Sequence, residues 1–253
     1  MSVSDFRFCF SSFQLFPFFL LCLPSTNPPS LPPSLPQVNK SDFKFIVTLE
    51  RSDHLTPQNL AAKLATIASK LSVRAVSLAL LPWPSPPRAP EEDPYTRKER
   101  AGQLRVMKAT WAALEAAAAS GAVAHLGVHE LTNDQISALS VPSPGEPPPS
   151  LLPRANWMEV SPWRSQMHRV RFCHSRGIQV LGSLQHDPSK IPGGSPGSQN
   201  SQLEAIRKAH GGRSARQILT LWAVERGLVV FPCMDDVKNG EQPKTAEAFE
   251  VWR

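Results

Sequence analysis

The chain has 253 residues, 41% hydrophobic and 19% charged, enough to bury the core of one large domain or two small ones. Its 26 prolines exclude an uninterrupted helical bundle, and its net charge of +6 is too dispersed to indicate nucleic acid. Cys9, Cys22, Cys173 and Cys233 show no C-x-x-C spacing, so neither a zinc site nor a disulfide scaffold is indicated and a reducing compartment is the default.

Apart from Gln14, Cys22, Thr26 and Asn27, every position from Phe10 to Pro36 is Phe, Ser, Leu or Pro. The apolar part, Phe13 to Leu23, falls short of the roughly 20 residues that span a bilayer. A signal peptide would need a basic start, and only Arg7, offset by Asp5, precedes it; no small-x-small cleavage site follows. These four residue types are those of pyrimidine-rich codons, and the stretch ends at Gln37, so a translated intron is the preferred reading. Residues 1–40 are therefore expected to be low-complexity, disordered or a gene-prediction artefact, with 41–253 as the folded domain.

From Phe43 the pattern changes to short apolar runs alternating with amphipathic helices. Phe43 to Thr48 is a strand rich in aromatic and β-branched residues. Thr56-Pro57 opens a helix carrying Leu60, Leu64, Ile67 and Leu71. Val73 to Leu81 reads as a strand buried on both faces. A helix through Leu104, Met107, Trp111, Leu114 and Ala118 stops at Gly121, followed by a strand from Ala122 to Val128 and a short helix from Thr132. The second half repeats the arrangement: strand Trp157–Val160, helix Arg164–Ser175, strand Ile178–Leu184, helices from Gln202 and after Ser214, and a last strand Leu228–Phe231. Proline-rich insertions lie at Pro84–Pro94, Val141–Pro153 and Pro188–Ser198.

This alternation implies βαβ units and a parallel sheet. About six strand–helix units are countable, against eight in a closed (β/α)8 barrel, with the deficit placed at the N-terminus. An open doubly wound sheet is the alternative, but no G-x-G-x-x-G follows any strand.

Several segments resemble the aldo-keto reductase superfamily, a (β/α)8 barrel. Leu78-Ala79-Leu80-Leu81-Pro82-Trp83-Pro84 is similar to its strand ending His-Trp-Pro. Trp111-Ala112-Ala113-Leu114-Glu115, then Gly121 to Val128, resembles its Trp-x-x-Leu-Glu helix and the following strand. Asn156-Trp157-Met158-Glu159 resembles Asn-Gln-Val-Glu, and Ser214 to Pro232 its penultimate helix and last strand. The resemblance implies site residues at the C-terminal strand ends, and there this chain departs. Leu49 stands for the catalytic lysine and Pro82 for the histidine. His129-Glu130 replaces the Ser-Asn that holds the nicotinamide amide, Trp157 replaces its glutamine, and Cys233-Met234 replaces the Lys-Ser that grips the NADPH phosphate. Tyr95, the only tyrosine, falls in a proline-rich loop.

One branch of the superfamily, the modifier (regulatory, light) subunits of glutamate–cysteine ligase, resembles this chain further. Phe45-Ile46-Val47-Thr48-Leu49-Glu50 is similar to its Leu-Phe-Ile-Val-Glu segment, and Gln185-His186-Asp187-Pro188-Ser189-Lys190 to its His-Asn-Asp-Pro-Lys-Glu, with Asp187-Pro188 as the signature. This resemblance implies a cytoplasmic, non-catalytic regulator that pairs with the ligase catalytic subunit in glutathione biosynthesis. It implies no cofactor, metal, nucleic acid or membrane. The alternatives are an NADP-dependent aldo-keto reductase with an altered site, or a gene product lacking its first strands.

Among the remaining candidates, Glu115 and Glu159 read as structural. His129, His186 and Asp187 at strand ends form no regular metal spacing. Arg164, His168, Arg169, Arg171 and Arg176 read as a solvated helix face, and Cys173 and Cys233 as packed or semi-exposed thiols. Trp83, Trp157 and Trp163 read as core or rim packing, with Trp157 the best candidate to fill a vacated cofactor cleft.

Overall fold

The computed structural model describes residues 19–24, 43–86, 95–142, 145, 148–183 and 201–231. Seven strands, β1 (Phe19–Pro24), β2 (Phe43–Thr48), β3 (Val76–Pro82), β4 (Val123–His129), β5 (Ala155–Glu159), β6 (Gln179–Ser183) and β7 (Val229–Phe231), form one sheet in chain order. Every neighbouring pair is parallel, with Ile46 beside Leu78, Leu80 beside Gly127 and Trp157 beside Leu181.

Parallel neighbours need a crossover, and the described crossovers are helical. They are α1 (Leu60–Lys70), α2 (Arg97–Ala119), α3 (Asn133–Ser140), α4 (Met167–Ser175), α5 (Ser201–Ala209) and α6 (Ala215–Val224). Capping boxes open three of them: Thr96 with Glu99, Thr132 with Gln135, and Ser214 with Gln217. α1 begins at Leu60 because Pro57–Asn59 forms a separate single 3-10 turn. α2 and α4 end against Gly121 and Gly177, whose φ of 80° and 68° stops a helix at little steric cost.

Strand alternation divides the buried residues in two. Phe45, Val47, Ala79, Leu81, Val128, Met158 and Val180 join Leu64, Met107, Trp111, Leu114 and Cys173 in an apolar layer between sheet and helices. Ile46, Leu80, Ala155, Trp157, Leu181 and Val229 form a second cluster on the opposite face. These six come from β2, β3, β5, β6 and β7, so the sheet curls until strands far apart in order share one interior. This is a partial (β/α) barrel of seven described strands. Gly127 marks how tightly the interior is filled: a Cβ there would lie 2.8 Å from Leu80 Cδ2 and 2.9 Å from the Ala155 carbonyl oxygen.

The unit count rises by one over the sequence reading, which placed no element before residue 40. Phe19–Pro24 forms β1, paired in register with all of β2. Elsewhere most boundaries shift by one to three residues, and α4 starts at Met167 rather than Arg164 because Ser161–Arg164 is held as a bridged turn. No described helix is long and apolar enough to cross a membrane.

Candidate functional site

The C-terminal ends of β2 to β5 and the segments after them enclose a cleft of about 750 Å³. One side is built by Arg51 after β2, Trp83 after β3, and Tyr95, Arg100 and Gln103 at the start of α2; the other by His129, Glu130, Glu159, Arg164 and Arg169.

Charges on the second side are paired. Glu130 closes β4 with φ at 59°, an unfavourable left-handed backbone for a residue with a Cβ. Its N–H donates to the Trp157 carbonyl at 2.7 Å, and its carboxylate accepts the Glu159 N–H at 2.5 Å and the Arg169 guanidinium at 3.5 Å. Gln166, also left-handed at φ 45°, donates to the Glu159 carbonyl and accepts from Arg169. Arg169 donates further to the Leu131 carbonyl at 2.7 Å, and Arg164 pairs with Glu159 at 3.0 Å. Two of the three non-glycine positive-φ residues among the described ones thus sit in one network, which over-determines their strained backbone.

Beneath the first side, the buried His54 joins three elements. Its Nε2 lies 3.0 Å from the Pro82 carbonyl oxygen and its Nδ1 2.8 Å from Thr110 Oγ1. A carbonyl only accepts, so Nε2 carries a proton. Thr110 Oγ1 also lies 2.9 Å from the Val106 carbonyl, so its hydroxyl hydrogen goes to Nδ1 when His54 is neutral and to Val106 when it is charged. Burial pushes the imidazole below its ordinary pKa; the Pro82 hydrogen bond and Asp53 oppose this, and the Arg51 charge adds to it. Asp53 is held by Lys63 at 2.5 Å and accepts the Glu50 N–H at 2.9 Å.

The positions singled out in the sequence fare differently. Leu49 is 2% exposed and packs in the outer layer with Phe45 and Val47, not in the cleft. Pro82 ends β3 and supplies the carbonyl that His54 grips. His129 and Glu130 line the cleft, and Trp157 lies inside the barrel, 5% exposed, with His129 edge-on at 6.3 Å. Cys233, Met234, Asp187 and Pro188, with His186, lie outside the described residues. Trp83 and Trp163 are partly buried against the outer layer, and the Glu115 carboxylate accepts the Leu151 N–H.

Two readings are corrected. Arg169 does not lie on a solvated face: it is 8% exposed and ties α4 to the β4 end. Tyr95, set aside as a loop residue, lines the cleft, its hydroxyl donating to the Pro86 carbonyl at 2.9 Å. Cys173 is fully buried, and burial pushes its thiol pKa up against the opposing Asn156 amide and Arg169 charge; it is packing, not a nucleophile. Among the described residues no three His, Cys, Asp or Glu side chains are grouped to hold a metal.

The Aldo/keto reductase family profile matches residues 42–185, more than half of the chain. The chain belongs to the aldo/keto reductase family. It is 28% identical over 185 residues to aldo-keto reductase family 1 member A1 of Cricetulus griseus, covering 70% of this chain and 54% of that protein. It is 24% identical over 229 residues to the NAD(P)H-dependent D-xylose reductase of Scheffersomyces stipitis, covering 84% and 70%. An aldo/keto reductase structure from Brucella melitensis superposes with a TM-score of 0.62 at 20% identity, covering 87% of this chain and 71% of that one, which supports the fold. The chain spans about half the length of the hamster relative.

This kinship corrects the non-catalytic reading. The matched relatives are named as reductases, not as regulators of another enzyme, and that naming overturns the non-catalytic expectation. No further support attaches to a ligase modifier role.

Proposed function

We propose that this chain is an aldo-keto reductase with a remodelled mouth, an oxidoreductase acting on the carbonyl of a small molecule seated in the cleft. The supporting observation is that the family match coincides with a cleft at the C-terminal strand ends, where barrels of this kind do their chemistry. NADPH is the proposed reductant, by analogy with the D-xylose reductase, which is named as NAD(P)H-dependent.

The described residues do not fit a nicotinamide in the family's manner. Trp157 stands where the resemblance expects an amide side chain, and its indole is packed among Ile46, Leu80, Leu181 and Val229. Glu130 stands where a neutral side chain is expected, and its carboxylate is engaged by Glu159 and Arg169. No step is therefore routed through the dinucleotide. What these residues do is shape and orient: Trp83 and Leu104 give the cleft apolar wall, and the Glu130–Arg169–Glu159 network fixes its β4–β5 rim.

Oxidation of NADPH by the purified full chain, followed by absorbance with D-xylose and a panel of aromatic aldehydes, tests the reading. Aldehyde-dependent oxidation is expected, abolished by filling the cleft with Ala138→Trp. A folded chain that oxidises no NADPH with any aldehyde refutes it.

A further inference from the structure

The two sides of the cleft differ in how their polar groups are used. On the β4–β5 side, Glu130 and Glu159 each have an arginine, and those arginines are correspondingly engaged. On the β2–β3 side, Arg51 and Arg100 enter from different elements, and neither is ion-paired among the described residues. Gln103 lies three residues after Arg100 on α2 and lines the same cleft. The Trp83 indole N–H donates to Gln103 Oε1 at 2.8 Å. Because an indole N–H can only donate, this bond fixes the amide orientation and leaves the Gln103 NH2 without an acceptor among the described residues. It also holds the Trp83 ring as a flat wall of the cleft. The one cleft carboxylate without an ion pair among the described residues is Asp134, in the first turn of α3 across the cleft, where the helix N-terminus favours its charge.

We infer that Arg51, Arg100 and the Gln103 amide form a subsite for a carboxylate, so that the substrate is a small carbonyl compound carrying a carboxylate beside an apolar or aromatic body that packs on Trp83. Two guanidinium groups and an amide on one cleft lining, carried by α2 and by the turn after β2, can supply N–H donors to a planar, doubly accepting group. The carbonyl part of this inference rests on the reductase reading; the carboxylate part does not.

Calorimetric titration of the full chain with 4-carboxybenzaldehyde, and with its neutral methyl ester, separates the two. The acid is expected to bind about tenfold tighter than the ester, with the preference shrinking as salt rises. Arg51→Gln and Arg100→Gln each remove most of that preference, and Arg100→Lys restores part of it, with unchanged thermal melts showing that the variants fold. Equal affinity for acid and ester, or a preference untouched by both Gln variants, overturns the subsite. If the acid binds selectively but NADPH is not oxidised, the subsite stands and the reductase reading fails. If acid and ester are reduced with equal kcat/KM, the reductase reading stands and the subsite fails.

Discussion

The outer and inner faces of the sheet are both buried, yet they carry different information. Outward, Phe45, Val47, Leu49, Ala79, Leu81 and Val128 meet apolar helix stripes, and every position follows the repeat of the element that bears it. Inward and toward the mouth, Trp157 is packed among aliphatics while Glu130, Arg169 and His54 are held by specific polar partners. The outer face is interchangeable hydrophobic area; the inner end depends on particular atoms. Resemblance to the family lives mainly in the first and departure from it in the second.

The largest effect is expected in the outer layer. Leu114 on α2 is fully buried, and Leu114→Ala removes its packing and leaves a cavity, lowering stability by about 2–5 kcal/mol. Urea unfolding followed by tryptophan fluorescence checks this; an unchanged midpoint would mean that α2 does not dock on the sheet. The cleft's aldehyde affinity, in whatever fraction stays folded, should be unaffected.

The rim network should respond to chemistry rather than size. Glu130→Ala takes the acceptor from the Glu159 N–H and from a largely buried guanidinium, and a loss of about 1–3 kcal/mol is expected. Glu130→Gln keeps the shape and one acceptor oxygen and should recover part of the loss. If Ala and Gln are equally destabilising, the carboxylate charge is what Arg169 requires, and if both are silent the network carries no stability.

Gly127→Ala asks how closely the interior is filled. The added methyl would meet Leu80 at 2.8 Å and the backbone oxygen of Ala155 at 2.9 Å, and the second of these cannot yield without shifting β5. An overpacking cost of about 1–3 kcal/mol is expected by thermal denaturation. Tolerance of the alanine would show that the sheet is less curled than the inner cluster implies.

Legibility in the sequence followed the same division. Strands and helices were readable because burial on the outer face repeats with period 2 or 3.6, and most boundaries moved by only a few residues. Arg169 carries a signal that its charge conceals: it shares the buried stripe of Val170 and Cys173 at positions i, i+1 and i+4. Thr96-Arg97-Lys98-Glu99 is a capping box, and recognising it would have set Tyr95 directly before α2 and so at the mouth. Leu49 fails in the opposite sense: a match by position put it at the mouth, whereas alternation with Phe45 and Val47 turns it outward. Nothing in the sequence marked His54, because its partners Thr110 and Pro82 are 56 and 28 residues away.

His54 gives a pH test of the junction between the two faces. Its folded pKa is lowered, so between that value and the unfolded one of about 6.5 the unfolded chain binds more protons. Its contribution is fully present above the unfolded value and is lost as pH falls through that window. His54→Gln keeps a donor for the Pro82 carbonyl without titrating, so the variant's stability should fall less steeply than the parent's on acidification, measured as urea midpoints across the weakly acidic range. Identical slopes would place the acid sensitivity in groups other than His54.

The smallest change is expected from the pair most exposed to water. Arg164 meets Glu159 at 3.0 Å with its side chain 58% exposed, so solvent screens the attraction and the ordering of a long side chain offsets it. Arg164→Ala should cost very little stability, about 0–1 kcal/mol by thermal denaturation, in contrast with Glu130→Ala, whose partner Arg169 has a side chain only 10% exposed. The comparison is informative because the two acids sit on adjacent strand ends and both pair with arginine. A loss at Arg164 as large as that at Glu130 would mean that the rim is ordered as one unit, and that exposure does not separate its structural charges from its solvated ones.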